Sequence, residues 1–248
     1  MLISHRKKFI FTKTVKTAGT SVESYFEKYC MPEGEWSLSH SRQMYVSEHG
    51  IIGNRGKAGR SALVKLIFPH EQWHEHMSAG QIKTQIGNDV WESYFKFSTM
   101  RNPFDKLVSR YHHMVAQEKN LSWRQKQKIN IQKKLHIAHP FYQAEGETHI
   151  ERFRSWIQHG GWVNDRDKYM IDNRVCVDYF ILFEDIENGI KEVCKKNDIP
   201  YHSKQVPRFK SKFRKDDFSL TDYYDSKTIE LVSGLYDFEI KKFGYQCP

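Results

Sequence analysis

Residues 7–21, KKFIFTKTVKTAGTS, constrain the fold of this chain more than any other segment. The apolar run at 9–11 predicts a short buried strand. After Gly19, apolar side chains recur at positions 22, 25, 26 and 29, which is the spacing of one helix face. A strand that passes through a short loop into a helix directs backbone N–H groups and the positive helix end at one point. The segment therefore predicts a site for phosphate or sulfate, to which a loop lysine adds positive charge.

The order of residues in this loop differs from that of a Walker-type P-loop. In a P-loop, the lysine follows the second glycine and precedes a hydroxyl residue that holds magnesium. Here Lys16 precedes Gly19, and the loop contains no earlier glycine. For this stretch alone, an ordinary strand–loop–helix connection is the alternative.

The composition favours a folded protein with an anionic ligand. Hydrophobic residues make up 39% of the 248 positions, which is enough for a substantial core. No linker rich in Pro, Gly or Ser divides the chain, so we expect a single domain over residues 1–248. The formal net charge of +9 favours a nucleotide, a sulfated or phosphorylated substrate, nucleic acid or an acidic membrane.

The sequence predicts neither a signal peptide nor a membrane span. No apolar stretch approaches the 18 residues that a spanning helix needs. The four cysteines are scattered without C-x-x-C spacing, so we expect reduced thiols in a cytoplasmic protein with no membrane partner. A secreted protein with two disulfides is the alternative.

Strands and helices are predicted to alternate along the chain. The predicted strands after residues 9–11 are 62–68, 94–100 and 177–183, and the predicted helices are 103–115, 150–157, 186–196 and 226–243. This order predicts an α/β fold with a parallel sheet covered on both faces. Ligands of such folds bind beyond the carboxyl ends of the strands, where the loops of Lys16 and Arg101 are expected to converge.

Two polar stretches are predicted to lie outside this framework. Residues 31–61 are expected to form a surface loop that reaches over the site through Arg55, Lys57 or Arg60. Residues 117–150 begin with a strongly basic run, which predicts a solvated helix, a lid or an insertion.

A second anion-binding arrangement follows the predicted strand 94–100. Arg101 leaves the strand end, and Ser109 lies eight residues later, about two turns into the next helix. A guanidinium and a hydroxyl at this separation can hold one phosphate from two sides. An arginine that caps a strand end and an unrelated serine on a helix face are the alternative.

Together, the two motifs resemble those of sulfotransferases that use 3′-phosphoadenosine 5′-phosphosulfate (PAPS). V-K-T-A-G-T-S is similar to the family's 5′-phosphosulfate loop, and R-N-P-F-D-K-L-V-S to its 3′-phosphate motif. The resemblance is to carbohydrate-type members, including bacterial enzymes and heparan sulfate 2-O-sulfotransferase. It implies a three-layer, P-loop-like fold with a central parallel sheet flanked by helices. It also implies PAPS as the donor and no required metal.

The chain departs from the usual family pattern at several positions. Lys13, Thr14 and Val15 stand where the family's loop usually reads His-x-Pro, and Lys106 stands where an arginine is usual. Loss of the proline makes the loop less rigid, and Lys13 adds charge.

The resemblance implies a role for each site residue. Lys16 would stabilise the leaving group, and His76 would be the base, with His74 as the second candidate and Glu71, Glu75 or Glu92 as alternatives. The implied cofactor-binding residues are Lys13, Lys16, Thr17, Ala18, Gly19, Thr20, Ser21, Arg101, Ser109, Lys210, Ser211 and Lys212. The implied reaction is in-line transfer of a sulfuryl group from PAPS to a hydroxyl of a glycan or a small natural product.

Three other functions compete with this interpretation. A P-loop-type phosphotransferase or kinase would share the fold but needs the Walker order of residues. A zinc peptidase is suggested by His70-Glu71-Gln72-Trp73-His74, which matches H-E-x-x-H, although the extended motif fails at Met77 and Gly80. A nucleic-acid-binding module could use the positive charge, but the basic residues are dispersed. We expect neither a bound metal nor a nucleic-acid partner.

Overall fold

The computed structural model describes residues 1–56, 73–135, 139–203, 206–207 and 218–248. Several sequence predictions lie outside these ranges: the strand at 62–68 and the residues Lys57, Arg60, His70, Glu71, Lys210, Ser211 and Lys212. The chain divides into two compact units. The first comprises Met1–Met100 and Asn164–Phe209, and the second comprises Arg101–Val163 and Lys210–Pro248. The single domain over 1–248 stays a prediction.

A six-stranded sheet forms the centre of the first unit. Its strands are β1 (Leu2–Ser4), β2 (Phe9–Thr12), β3 (Tyr45–Ser47), β4 (Gly50–Ile52), β5 (Phe95–Met100) and β8 (Tyr179–Leu182), in the order β3-β4-β1-β2-β5-β8. The neighbours β2, β5 and β8 are parallel. The other pairs are antiparallel. The predicted parallel sheet is therefore the three-stranded part of a mixed sheet. A separate antiparallel pair joins β6 (Met170–Ile171) to β7 (Arg174–Val175).

Alternate residues of the strands pack into two different clusters, as the strand period of two requires. Phe9 and Phe11 pack with side chains of α1 (Gly19–Phe26) and α8 (Ile186–Lys196). Ile10 packs with side chains of α2 (Ala79–Ile86) and α3 (Asn88–Ser93). The sheet is thus covered by helices on both faces, and the predicted three-layer α/β class is confirmed.

A capping box defines the start of α2. Ser78 accepts a hydrogen bond from the backbone N–H of Gln81, and the Gln81 side chain accepts one from Ser78 N–H. The two bonds satisfy backbone groups that the first turn of the helix would otherwise leave unpaired. A single turn of 3-10 helix, Glu27–Cys30, continues the chain beyond α1.

The described part of the second unit is helical. Its helices are α4 (Pro103–Lys119), α5 (Trp123–Lys134), α6 (Pro140–Gln143), α7 (His149–Gln158), α9 (Leu220–Tyr223), α10 (Ser226–Leu235) and α11 (Asp237–Phe243). Leu107, Val108 and Tyr111 of α4 are buried and pack with Phe153 and Trp156 of α7. Pro103 and the Asn102 cap begin α4, so its predicted start is confirmed.

The structure corrects one helix prediction and bears on a second. The single helix predicted for 226–243 is wrong, because the chain breaks at Tyr236 into α10 and α11. The Tyr236 hydroxyl donates to Val163 O at 2.6 Å and accepts from Val163 N–H at 3.0 Å. In the basic stretch, α5 buries none of its residues, so the predicted solvated helix is present there. A lid or an insertion over 117–150 stays a prediction.

The predicted irregular loop at 31–61 was wrong over part of its length. Residues 45–47 and 50–52 form β3 and β4, and Ile51 and Ile52 are buried. Within the described ranges, every helix is too short or too polar to span a lipid bilayer.

Candidate functional site

The predicted anion-binding loop connects β2 to α1 over residues 13–18. Lys16 and Ala18 adopt the left-handed backbone conformation, with φ of 62° and 57°, which few non-glycine residues do. Turns of this kind create concavities lined by N–H groups. The N-cap residue of α1 is Ala18, whose methyl side chain accepts no hydrogen bond from the helix. The loop and the positive end of α1 therefore have the form that an anion requires.

Three buried threonine hydroxyls fix the loop to β5. Thr14 Oγ1 donates to Thr99 O at 2.7 Å and lies 2.8 Å from Thr17 Oγ1. Thr17 Oγ1 lies 2.6 Å from Thr99 Oγ1. These contacts commit the Thr17 hydroxyl to the loop's own structure. The group of Thr17 that we expect to bind an anion is therefore its backbone N–H.

Asp165 is a site residue that the sequence analysis missed. Its Oδ2 accepts a hydrogen bond from Val15 N–H at 3.0 Å, and only 4% of the residue is exposed. A buried carboxylate that accepts a backbone N–H is a strong anchor. Asp165 therefore holds the residue that directly precedes Lys16. It belongs to no motif and lies 150 positions along the chain from Val15, so no local pattern revealed it.

Lys13 has a different environment from the one we expected. Its side chain is 3% exposed, and its ammonium lies 2.8 Å from Glu23 Oε2 and 2.5 Å from Glu75 Oε2. The family resemblance implies that Lys13 adds charge for the cofactor, whereas in the structure its ammonium pairs with two carboxylates. The physical reason is that Glu23 is fully buried on α1, and a buried carboxylate requires cationic partners.

Arg55 also belongs to this buried network and does not reach over the site as predicted. It is 1% exposed and binds Glu27 and, at 2.9 Å, Glu23 Oε2. The rest of its guanidinium donates to the backbone carbonyls of Ser39 and His40. The prediction failed because two buried carboxylates, Glu23 of α1 and Glu27 of the 3-10 turn that follows it, draw the arginine into the interior.

Two carboxylates of the network, those of Glu23 and Glu75, are ionised. Burial raises the pKa of Glu23, but the charges of Lys13, the Met1 α-amino group and Arg55 outweigh burial and lower it well below the ordinary value. Burial also raises the pKa of Glu75, but the charge of Lys13 outweighs burial, so the pKa of Glu75 is lowered. The contacts of Lys13 are therefore true ion pairs in a poorly solvated place, where they are stronger than surface pairs.

Gly19 allows Lys13 to reach these partners. A Cβ atom at position 19 would lie 2.9 Å from Lys13 Cγ, closer than side chains tolerate. The first residue of α1 must be small because the lysine stem passes beside it.

His76 has the geometry of a general base. Its Nδ1 lies 3.0 Å from the backbone carbonyl oxygen of Lys13. A carbonyl only accepts, so Nδ1 carries the proton and Nε2 presents its lone pair. Burial lowers the pKa of His76, and the charge of Lys13 lowers it further. The neutral imidazole is thus favoured at neutral pH, which is the form that accepts a proton.

Glu75 lies on the other side of the same imidazole. Its Oε2 is 3.8 Å from His76 Nε2, a distance at which the carboxylate attracts a protonated ring. The backbone of this segment is held in place, because Glu75 N–H donates to Asn54 O and Asn54 N–H donates to Trp73 O, each at 2.9 Å.

His74, the second candidate for the base, lies in the same segment as His76, and it is exposed to solvent. The described residues contain no group of three His, Cys, Asp or Glu side chains placed to hold a metal ion. Two of the three H-E-x-x-H residues, His70 and Glu71, lie outside the described ranges. The roles of His74 and of the metal motif stay predictions.

Arg101 and Ser109 belong to the second unit. Arg101 Nε donates to Asp105 Oδ2 at 2.8 Å, and its Nη2 lies 2.7 Å from the same oxygen. Asp105 was not anticipated as a partner of this arginine. Asp105 and Ser109 are four residues apart on α4 and therefore share one helix face. The ion pair orients the guanidinium at the start of α4.

The chain was compared with known proteins. The family model Sulfotransfer_2, described as the sulfotransferase family, matches residues 1–246. The chain belongs to the sulfotransferase family. A search of curated proteins and a search of solved structures each found no match. The family match supports a transferase of sulfuryl groups that acts on a hydroxyl-bearing acceptor, on a P-loop-like fold. It does not select the heparan sulfate 2-O type within the family.

Proposed function

We propose that this sulfotransferase takes its sulfuryl group from PAPS and transfers it to a hydroxyl of a glycan or a small natural product. The observation that carries the proposal is the loop between β2 and α1. Its left-handed Lys16 and Ala18 and the N terminus of α1, where the N-cap residue is an alanine, suit the 5′-phosphosulfate of the donor. The residues present therefore fit PAPS.

Each end of the donor has its own set of residues in this proposal. The backbone N–H groups over residues 17–20 and the hydroxyls of Thr20 and Ser21 hold the 5′-phosphate. Arg101 and Ser109 hold the 3′-phosphate, which ATP lacks. Lys210, Ser211 and Lys212 close over the nucleotide, as the family resemblance implies.

The chemistry needs a base and a cation. When bound, PAPS supplies an activated sulfuryl group whose transfer leaves 3′-phosphoadenosine 5′-phosphate (PAP). His76 Nε2 takes the proton of the acceptor hydroxyl while that oxygen forms its bond to sulfur. Lys16 stabilises the negative charge that grows on the bridging oxygen as the bond from sulfur to that oxygen breaks. His74 is the alternative base.

The first experiment separates donor binding from turnover. PAP affinity is measured by calorimetry and turnover by release of PAP from PAPS in the presence of an acceptor. Lys16→Ala and Arg101→Ala each remove a charged donor of hydrogen bonds, worth about 1.5–3 kcal/mol. We therefore expect each to weaken PAP binding about 10- to 100-fold, with loss of turnover.

His76→Ala is expected to behave differently. PAP binding stays within about twofold, whereas turnover falls about 10²- to 10⁴-fold because the proton has no acceptor. Exposed Lys126→Ala and His159→Ala are the matched controls and leave both quantities unchanged. Unchanged turnover in the His76 variant would refute its assignment as the base. Stronger thermal stabilisation by ATP than by PAP would favour the phosphotransferase.

A further inference from the structure

We infer that Lys13 and Glu75 are a positioning pair that ties the general base to the donor-binding loop. The inference rests on the proposed function, in which His76 is the base. It assigns to Lys13 a role other than binding the donor directly. It also makes Glu75 a partner of the base and not the base itself.

Lys13 contacts the segment of the base in two ways. Its backbone carbonyl accepts the Nδ1–H of His76 at 3.0 Å, and its ammonium binds Glu75 Oε2 at 2.5 Å. The other carboxylate oxygen of Glu75 accepts Gly56 N–H at 3.2 Å. Two adjacent residues, 75 and 76, are thus fastened to one loop residue.

This connection fixes the base relative to the loop. Lys13 lies three positions before Lys16 in the loop that is proposed to bind the donor. Any displacement of Lys13 therefore moves the imidazole and the loop together. The position of the imidazole relative to the donor-binding loop matters, because a misplacement of about 1 Å can lower the rate about 100-fold.

The pair also acts on the imidazole electrostatically, and its two members act in opposite directions. The charged groups that act on His76 from the described residues are Lys13 of the loop, Glu75 of its own segment and the α-amino group of Met1 before β1. Lys13 and the amino group disfavour the imidazolium, whereas Glu75 favours it. Once Nε2 has taken a proton, Glu75 at 3.8 Å stabilises the charge that forms there.

Because Lys13 and Glu75 act on the imidazolium in opposite directions, their substitution is expected to shift the pKa of His76 in opposite directions. In Glu75→Gln, the imidazolium loses its favourable partner, so the pKa of His76 falls. In Lys13→Met, the imidazolium loses an unfavourable neighbour, so the pKa of His76 rises. The pKa is measured by NMR from the imidazole proton signal of His76, assigned with His76→Ala. This readout is independent of turnover, and a purely structural role would not produce opposite shifts.

Kinetics provide the second readout. Each single variant is expected to lower kcat about 10- to 100-fold, as loss of a supporting contact does, while the Kd of PAP stays within about threefold. The double variant is no slower than the slower single variant, because the two residues act as one unit. The exposed pair of Lys241 and Asp237 is the matched control, and Lys241→Met and Asp237→Asn leave kcat unchanged.

Lys13 also binds Glu23, so Lys13→Met can lose stability. Lys13→Arg keeps the charge and the contact with Glu75, and it is expected to restore the His76 pKa and most of kcat. Shifts of the His76 pKa in one direction, or no shift, would overturn the inference. So would weaker PAP binding in Lys13→Met with unchanged kcat, because Lys13 would then be a donor ligand. Full turnover in His76→Ala would instead refute the assignment of His76 as the base, on which this inference rests.

Discussion

At the scale of single residues, the protonation of His76 sets the pH range in which the proposed reaction runs. Burial and Lys13 lower the pKa of His76, so it loses its proton at a lower pH than an ordinary histidine. We expect kcat, measured with saturating PAPS and acceptor, to rise with pH through a pKa below about 6.5 and then to stay level. His76→Ala removes this rise. A rise centred above that value would contradict a neutral His76 as the base.

Asp165 is expected to control the loop without touching the donor. Asp165→Ala leaves Val15 N–H without its carboxylate, so the left-handed turn at Lys16 loses an anchor. We expect PAP binding to weaken about 10-fold, in line with about 1.5 kcal/mol for a hydrogen bond to a charged group. Asp165→Asn, which keeps an acceptor oxygen, recovers part of the loss. The half-exposed Asp167→Ala is the control in calorimetry, and equal effects of the Asp165 and Asp167 variants would refute the anchor.

The residues of the site differ in how far the sequence could reveal them. The loop of Lys16 was predictable because strand, loop and helix signals are adjacent in the chain. The partners of that loop were not, because Glu75 lies 62 positions from Lys13 and Asp165 lies 150 positions from Val15. The ion pairs of Lys13 were not predictable for the same reason: a lysine in a phosphate-type loop gives no sign of the carboxylates that the fold brings to it.

At the scale of elements, the start of α1 depends on the glycine beside Lys13. Alanine is normally the better helix former by about 1 kcal/mol. In Gly19→Ala, the added methyl group would meet Lys13 Cγ, and the two ion pairs of Lys13 prevent an easy displacement. We therefore expect a lower unfolding temperature and weaker PAP binding.

Gly80→Ala in α2 is the matched control, because a Cβ there meets no atom of the structure within 4 Å. We expect Gly80→Ala to keep or raise the unfolding temperature, since only helix propensity changes. Equal stabilisation by both alanines in a thermal melt would show that Lys13 is not packed against α1.

Strands and helices could be predicted where the local sequence pattern is strong. β2, β5 and β8 carry runs of large apolar side chains, which made them visible. β1, β3 and β4 have three residues each, too few to show a strand period, and were missed. The break at Tyr236 was missed because it depends on a distant partner, the backbone of Val163, and not on a proline or glycine.

At the scale of the whole molecule, the family match and the two motifs support the same function. The match extends over residues 1–246 and so includes both the loop of Lys16 and the segment from Arg101 to Ser109. The net charge of +9 agrees with a doubly phosphorylated nucleotide as a ligand but does not identify it.

The most direct test of the central claim is transfer of label from [³⁵S]PAPS. The protein is incubated with the labelled donor and a panel of glycans and hydroxylated small molecules, and sulfated product and PAP are quantified together by mass spectrometry. We predict that both form in equal amounts and that His76→Ala forms both about 10²- to 10⁴-fold more slowly. Transfer of a phosphoryl group from ATP to the same panel, with none of the label transferred from PAPS, would contradict the account.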